Sequence, residues 1–259
     1  MFFKKKTQEG PKTESKIIIG MVMLNDDNPI DKKFFCKDFK KNFDNSINDL
    51  SGDNAAFAFN VDNESIAVGY MPVPIPQSDI EGTAEYAYNW ETALEDLKNH
   101  KSHLIVTLMN GGQDLMKRFK IFTKVICSLL RTTNSIGVYE GSQSLLIPKQ
   151  DYLDIAEGMT DDYFPLNLWI YFGYRKTEKG NSGYTYGLKE FGKHEMEIVE
   201  SAKTIGEIEK FLYNMTHYVL EYDVTFKDGQ TCGMSADERI AITFSKGKFV
   251  DTETFKLAY

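Results

Sequence analysis

Only three cysteines, four histidines and seven prolines occur among the 259 residues. Cys36, Cys127 and Cys232 are odd in number, far apart and without a CxxC, which excludes a disulfide framework and suits a reducing cytosol. Cys127 falls within a helical apolar stripe and is expected to be buried and inert. Four histidines leave few ligands for a metal centre. His194-Glu195 lacks the second histidine of H-E-x-x-H, and His100 and His103 straddle a predicted helix end and strand start instead of sharing a helix face. No metal and no cofactor are therefore expected. Basic excess is missing too: 38 acidic against 30 basic residues give a net charge of −8, which argues against a nucleic-acid partner. No run approaches the roughly 20 apolar residues of a membrane span, so no stable membrane association is expected. The opening MFFKKKTQEGPKTESK lacks the apolar segment and cleavage site of a secretory signal, and the expected location is cytoplasmic. Residues 1–15 read as a flexible tail, although Phe2 and Phe3 before three lysines suggest a weak membrane touch. The phosphate cradles G-x-x-x-x-G-K-[ST] and G-x-G-x-x-G, and the nucleophile elbow G-x-S-x-G, are also absent.

What is present is a run of alternating strand and helix patterns. Lys16–Leu24 is a continuous apolar run of strand length, implying cover on both faces. A helix over 31–43 repeats Phe35, Phe39 and Phe43 every four residues. A hairpin follows, with arms 55–61 and 65–71 around Asp62-Asn63-Glu64. Pro72, Pro74 and Pro76 make an extended exit from the sheet. A helix over 90–99 and a buried strand over 103–109 complete the series. The order strand, helix, strand, strand, helix, strand predicts a ferredoxin-like β-α-β-β-α-β half over residues 16–111. Gly111-Gly112 then opens a long helix over 113–131. Further strands at 136–139, 144–147, 166–174, 239–245 and 254–259 are expected. Thr204 and Glu207 form a capping box, and Asp228-Gly229 is a hairpin signal. The fold class is α+β, with a second mixed sheet-and-helix half over 112–259 closely packed on the first.

Five stretches carry a family resemblance: MPVPIPQSDIEG (Met71–Gly82), HLIVT (His103–Thr107), GVYEGSQSLLIP (Gly137–Pro148), TYGLKEFGKHEMEI (Thr185–Ile198) and DGQTCG (Asp228–Gly233). Together they resemble the bacterial proteins grouped as domain of unknown function 4261, over nearly the whole chain from about residue 16. The resemblance implies bacterial origin and a shared fold, and names no reaction.

Candidate chemistry gathers in two places. Strand alternation around 193–198 puts His194, Met196 and Ile198 on one face and Glu195 and Glu197 on the other, where the carboxylates would meet water. In a sharper reading, His194 and Glu195 stand at a cleft edge as acid/base groups beside Asp79, Glu81 or Glu140. The second place is the proline-stiffened loop 75–82, which is suited to holding Asp79 and Glu81 for a ligand. Downstream, Tyr86, Tyr88 and Trp90 form either a recognition surface or ordinary packing. A candidate ligand site therefore comprises Asp79, Glu81, His103, Glu140, His194 and Glu195. The expected function is binding of a protein partner or a small ligand, without catalysis. The alternative is an enzyme of unassigned class that uses His194 with the loop carboxylates.

Overall fold

The structure is a computed structural model that describes residues 17–109, 111–235 and 237–259. The expected tail and its Phe2-Phe3 membrane touch lie outside the described residues. Strand β1 (Ile18–Leu24) is covered on both faces, as its unbroken apolar run requires. Val22 and Leu24 enter a large core, while Met23 points into a smaller one on the opposite side. Helix α1 (Lys32–Asn42) starts where the Asp31 carboxylate accepts the amides of Lys33 and Phe34, and it buries Phe35 and Phe39. Then come β2 (Ile47–Gly52), β3 (Ala56–Val61), β4 (Glu64–Met71), the short helices α2 (Gln77–Ala84) and α3 (Ala93–Leu97), and β5 (Ser102–Leu108). Helix α4 (Leu115–Thr132), β6 (Ser135–Glu140), β7 (Leu145–Pro148) and α5 (Lys149–Glu157) follow.

Among the described residues these strands form one seven-stranded sheet, ordered β2-β3-β4-β5-β1-β6-β7, with antiparallel neighbours throughout. This order corrects the ferredoxin-like expectation. In that plan the third strand of the unit lies beside the first, whereas here β5 stands between β4 and β1. The physical reason is β2. Its sequence INDLSG is polar and almost wholly exposed, so no apolar alternation marks it, yet one added strand reverses the sense of everything after it. The sheet also runs on past residue 111 to take in β6 and β7.

A second, six-stranded sheet uses β8 (Tyr171–Thr177), β9 (Gly180–Tyr186), β10 (Met196–Ser201), β11 (Thr231–Cys232), β12 (Ile240–Lys246) and β13 (Glu253–Leu257), in the order β11-β12-β13-β10-β9-β8. β10 and β13 run parallel. Helix α6 (Ile205–Glu221) begins at the Thr204–Glu207 capping box and packs on β8 and β9. Two expectations shift here. Trp169 precedes β8, after a 3-10 turn over Leu166–Leu168, instead of lying in a strand. Asp228-Gly229 precedes β11, so the β11–β12 connection comes later in the chain. Phe119 of α4 stacks on Phe191 with ring centroids 4.3 Å apart, and both pack near Trp169. Buried apolar side chains from both sheets thus join in one cluster, and a smaller cluster lies under α2 and α3.

Candidate functional site

The six residues picked from the sequence go to separate places. Segment 77–84 is helix α2 and not a loop; Ile80 and Thr83 turn inward, leaving Asp79 and Glu81 exposed. His103 is buried, with Nδ1 at 2.8 Å from the Val73 carbonyl, while His100 accepts the Ile75 amide at Nε2 (2.8 Å). The H-x-x-H pair therefore clamps the extended Pro72–Pro76 backbone. Burial, then proximity to His100, lowers the His103 pKa against the opposing Val73 bond. Glu140 is fully buried, lies over Gly20 beside Phe122, and neither carboxyl oxygen has a hydrogen-bond partner among the described residues. His194 is exposed and meets Phe244 and Phe255 edge-on at 4.8 and 5.6 Å. It borders a cavity of about 10 Å³, and none of the other five residues lines it.

Glu195 and Glu197 do alternate away from Met196 and Ile198, but they do not reach water. Glu195 accepts from the Thr185 hydroxyl and the Gly187 amide, both at 2.8 Å, and from the Lys189 amide at 3.3 Å. Burial still raises its pKa against those bonds. Glu197 accepts the Lys248 and Phe249 amides at 3.0 and 2.9 Å and pairs with Lys256 Nζ at 2.9 Å. The loop 247–252 folds over the face that alternation assigned to solvent. Likewise Gly111-Gly112, which precedes the long helix, receives the chain's own Glu64: the Gly112 amide donates to Oε1 at 2.7 Å, and Arg118 Nε pairs with Oε2 at 2.8 Å. A Cβ on Gly111 would fall 1.8 Å from that carboxylate, so a larger residue there would displace Glu64 from its partners.

A different set of side chains does converge. β8 is the edge strand of the second sheet, and the segment between α2 and α3 lies along it. Tyr86 and Tyr88 from that segment are 43% and 58% exposed, while Trp90 is buried. They face Tyr171 and Tyr174 of β8 and Tyr184 of β9 across a cavity of about 550 Å³. A second cavity of about 260 Å³ shares Tyr86, Tyr88 and Tyr171 and continues toward Asn89, Asn167 and Asp154. Ring centroids lie 6.5 Å apart for Tyr86–Tyr171, 6.1 Å for Tyr88–Tyr171, 6.4 Å for Tyr88–Tyr174 and 6.1 Å for Tyr171–Tyr184. The Arg175 guanidinium sits 5.8 Å over the Tyr86 ring. Burial raises the Tyr174 hydroxyl, and Tyr88 and Glu209 push it the same way.

The wall has a traceable support. Tyr184 pairs with Gly173 across β8–β9, and a Cβ on Gly173 would meet the Tyr184 ring at 2.1 Å, so glycine lets the ring lie flat on the strand. Phe249 stacks on the outer face of Tyr184 at 5.2 Å. Glu197 holds the Phe249 amide and thereby the stack. The tyrosines beyond Tyr86 and Tyr88 went unmarked in the sequence because pattern reading assigns strand aromatics to a core.

A larger groove of about 680 Å³ runs along α4, lined by Lys117, Lys120, Lys124 and Lys193 among others. Its cations are already matched: Lys117 with Asp62 (3.0 Å), Lys120 with Asp161 (3.5 Å), Lys193 with Asp223 (2.6 Å), and Lys124 with the Asn45 amide oxygen (2.6 Å). Among the described residues no group of three or more His, Cys, Asp and Glu is placed to hold a metal ion, and no helix is long and apolar enough to cross a membrane.

No curated protein and no solved structure matches the chain. Residues 184–258 match the family described as Domain of unknown function (DUF4261), a segment that holds the last two of the five resembling stretches. It runs from Tyr184, one wall of the cleft, through Glu195 and Glu197 to the end of β13. By that match this C-terminal segment of the chain is similar to the DUF4261 family.

Proposed function

We propose that the protein is a binding protein which takes a small ligand in the tyrosine-walled cleft between the α2–α3 segment and the β8 edge. One observation carries this reading: Tyr86 and Tyr88 hold their rings in water opposite three more tyrosines, although aromatic surface of this size is normally buried. Clefts of a few hundred Å³ with aromatic walls and a few polar groups are the usual form of a small-molecule site. Asn89, Asn167 and the tyrosine hydroxyls supply those polar groups here. The enzyme alternative finds no such support, since His194 stands apart from the carboxylates proposed to work with it.

The test is a ligand panel of sugars, amino acids, nucleosides and quaternary amines, read by thermal shift and by tyrosine fluorescence. At least one class should raise Tm and quench emission in the wild type, and Tyr88→Ala should lose both responses. A panel without hits, or hits that Tyr88→Ala retains in full, would remove the cleft as the binding site.

A further inference from the structure

The geometry of the cleft points to a trimethylammonium group as its ligand, an inference that rests on the cleft being the binding site. The rings are walls and not a platform. Interplanar angles are 72° for Tyr86–Tyr171, 50° for Tyr88–Tyr171, 59° for Tyr88–Tyr174 and 56° for Tyr171–Tyr184. Rings laid out to stack on a sugar would lie closer to one plane. The rings here stand at steep angles with centroids 6.1–6.5 Å apart and line one cavity together, the arrangement of an aromatic cage. A cation within about 6 Å of several centroids is what such a cage attracts.

Two features of the surroundings select charge. The cleft already receives one cation of its own, Arg175 over Tyr86. Its rim is otherwise acidic: Glu85 and Glu91 line the cavity, Glu209 is near enough to act on Tyr174, and Asp151 and Asp154 line the adjoining cavity. The remaining walls select the kind of cation. Ala84, Ala87 and Leu94 add apolar surface beside the rings, which matches methyl groups better than the strongly hydrated N–H groups of a primary ammonium. A trimethylammonium has no N–H to satisfy, and its methyls fit apolar contacts while its charge meets the rings. Choline, glycine betaine and phosphocholine share this chemistry, and Arg175, which lines the same cavity, offers a partner for the anionic group of the latter two.

The experiment titrates the full chain with choline, glycine betaine and phosphocholine, and with 3,3-dimethyl-1-butanol, which has the shape of choline without its charge. Tyrosine fluorescence and calorimetry report binding. At least one trimethylammonium compound should bind about tenfold or more tightly than the neutral isostere. Tyr88→Ala should weaken it by about tenfold, and Tyr88→Phe, which keeps the ring face, should not. A preference for betaine or phosphocholine that Arg175→Ala abolishes identifies a zwitterionic ligand, and a preference for choline a simple cation; either supports the inference. Equal binding of choline and its isostere, or binding of a sugar without any of the three cations, would overturn the cation while leaving the cleft as a site. Absence of any panel ligand from the cleft would overturn both.

Discussion

Glu140 carries a carboxyl inside an apolar core with nothing to replace the water it lost, and this fixes its protonation. Burial pushes its pKa from 4.5 up to about 8, so the folded protein holds it neutral at neutral pH. In the unfolded chain the same group ionises near 4.5. Between those two values the folded state binds one proton more, so this group makes stability fall as pH rises, by about 1.4 kcal/mol per pH unit at most. Glu140→Gln keeps the shape and cannot ionise. Its stability margin over the wild type should grow with pH from 4.5 to about 8 and level off above, measured by urea unfolding across that range. Curves that stay parallel would show that Glu140 is ionised, or solvated, in the fold. Glu64 illustrates the other way to bury a carboxylate, with Arg118 and the Gly112 amide on its two oxygens. Neither role was legible in the sequence, where Glu64 read as a turn residue and Glu140 as a candidate for a ligand site. Turn chemistry says nothing of what a turn is folded against.

Strand β10 shows the same limit in a longer segment. Its period of two was legible, and the two faces came out as alternation requires. What covers the second face was not, because the covering loop lies some 50 residues away along the chain (Glu197 accepts from Lys248 across 51 residues). Helices α1, α4 and α6 were legible through their apolar stripes and caps, since one face of each packs on a sheet. Helix α2 was hidden by the three alternating prolines before it and by Gly82 within it. β2 was hidden because an exposed edge strand buries nothing. The cleft fared likewise: Tyr86 and Tyr88 stood out, and their three partners did not. The Glu197 staple also has a pH signature. Burial would raise its pKa, but the Lys248 and Phe249 amides and Lys256 outweigh that and bring it below 4.5. A depressed carboxylate stabilises the fold above its unfolded value and loses that effect as pH falls through the lowered one. Amide exchange at Lys248 and Phe249 should therefore accelerate below pH 4.5 beyond the intrinsic trend, and Glu197→Gln should bring fast exchange to neutral pH. Protection that persists in the variant would mean that the loop is held by other contacts.

The family match and the fold divide the molecule differently. The matched segment begins at Tyr184, partway along β9, and leaves β8 outside. Yet β8 pairs with β9 over seven residues, and α6, which lies within the match, packs on both strands. Phe191, also within it, stacks on Phe119 of α4 and lies 6.0 Å from Trp169. Cutting the chain at residue 184 would thus open a sheet edge and expose the aromatic centre of the large core, each a sufficient reason for a fragment not to fold. The full chain is accordingly expected to unfold in a single cooperative transition, with calorimetric and van't Hoff enthalpies in agreement. A fragment of residues 184–258 should give no cooperative transition and should bind a hydrophobic dye. The cleft makes the same demand of the intact molecule. Tyr86 and Tyr88 are held by the first sheet's small core through Trp90 and Ala87, while Tyr171, Tyr174 and Tyr184 belong to the second sheet. Two separate transitions, with the one at lower temperature removing the tyrosine fluorescence response to ligand, would show instead that the halves are docked domains and that the shared aromatic centre contributes little to holding them together.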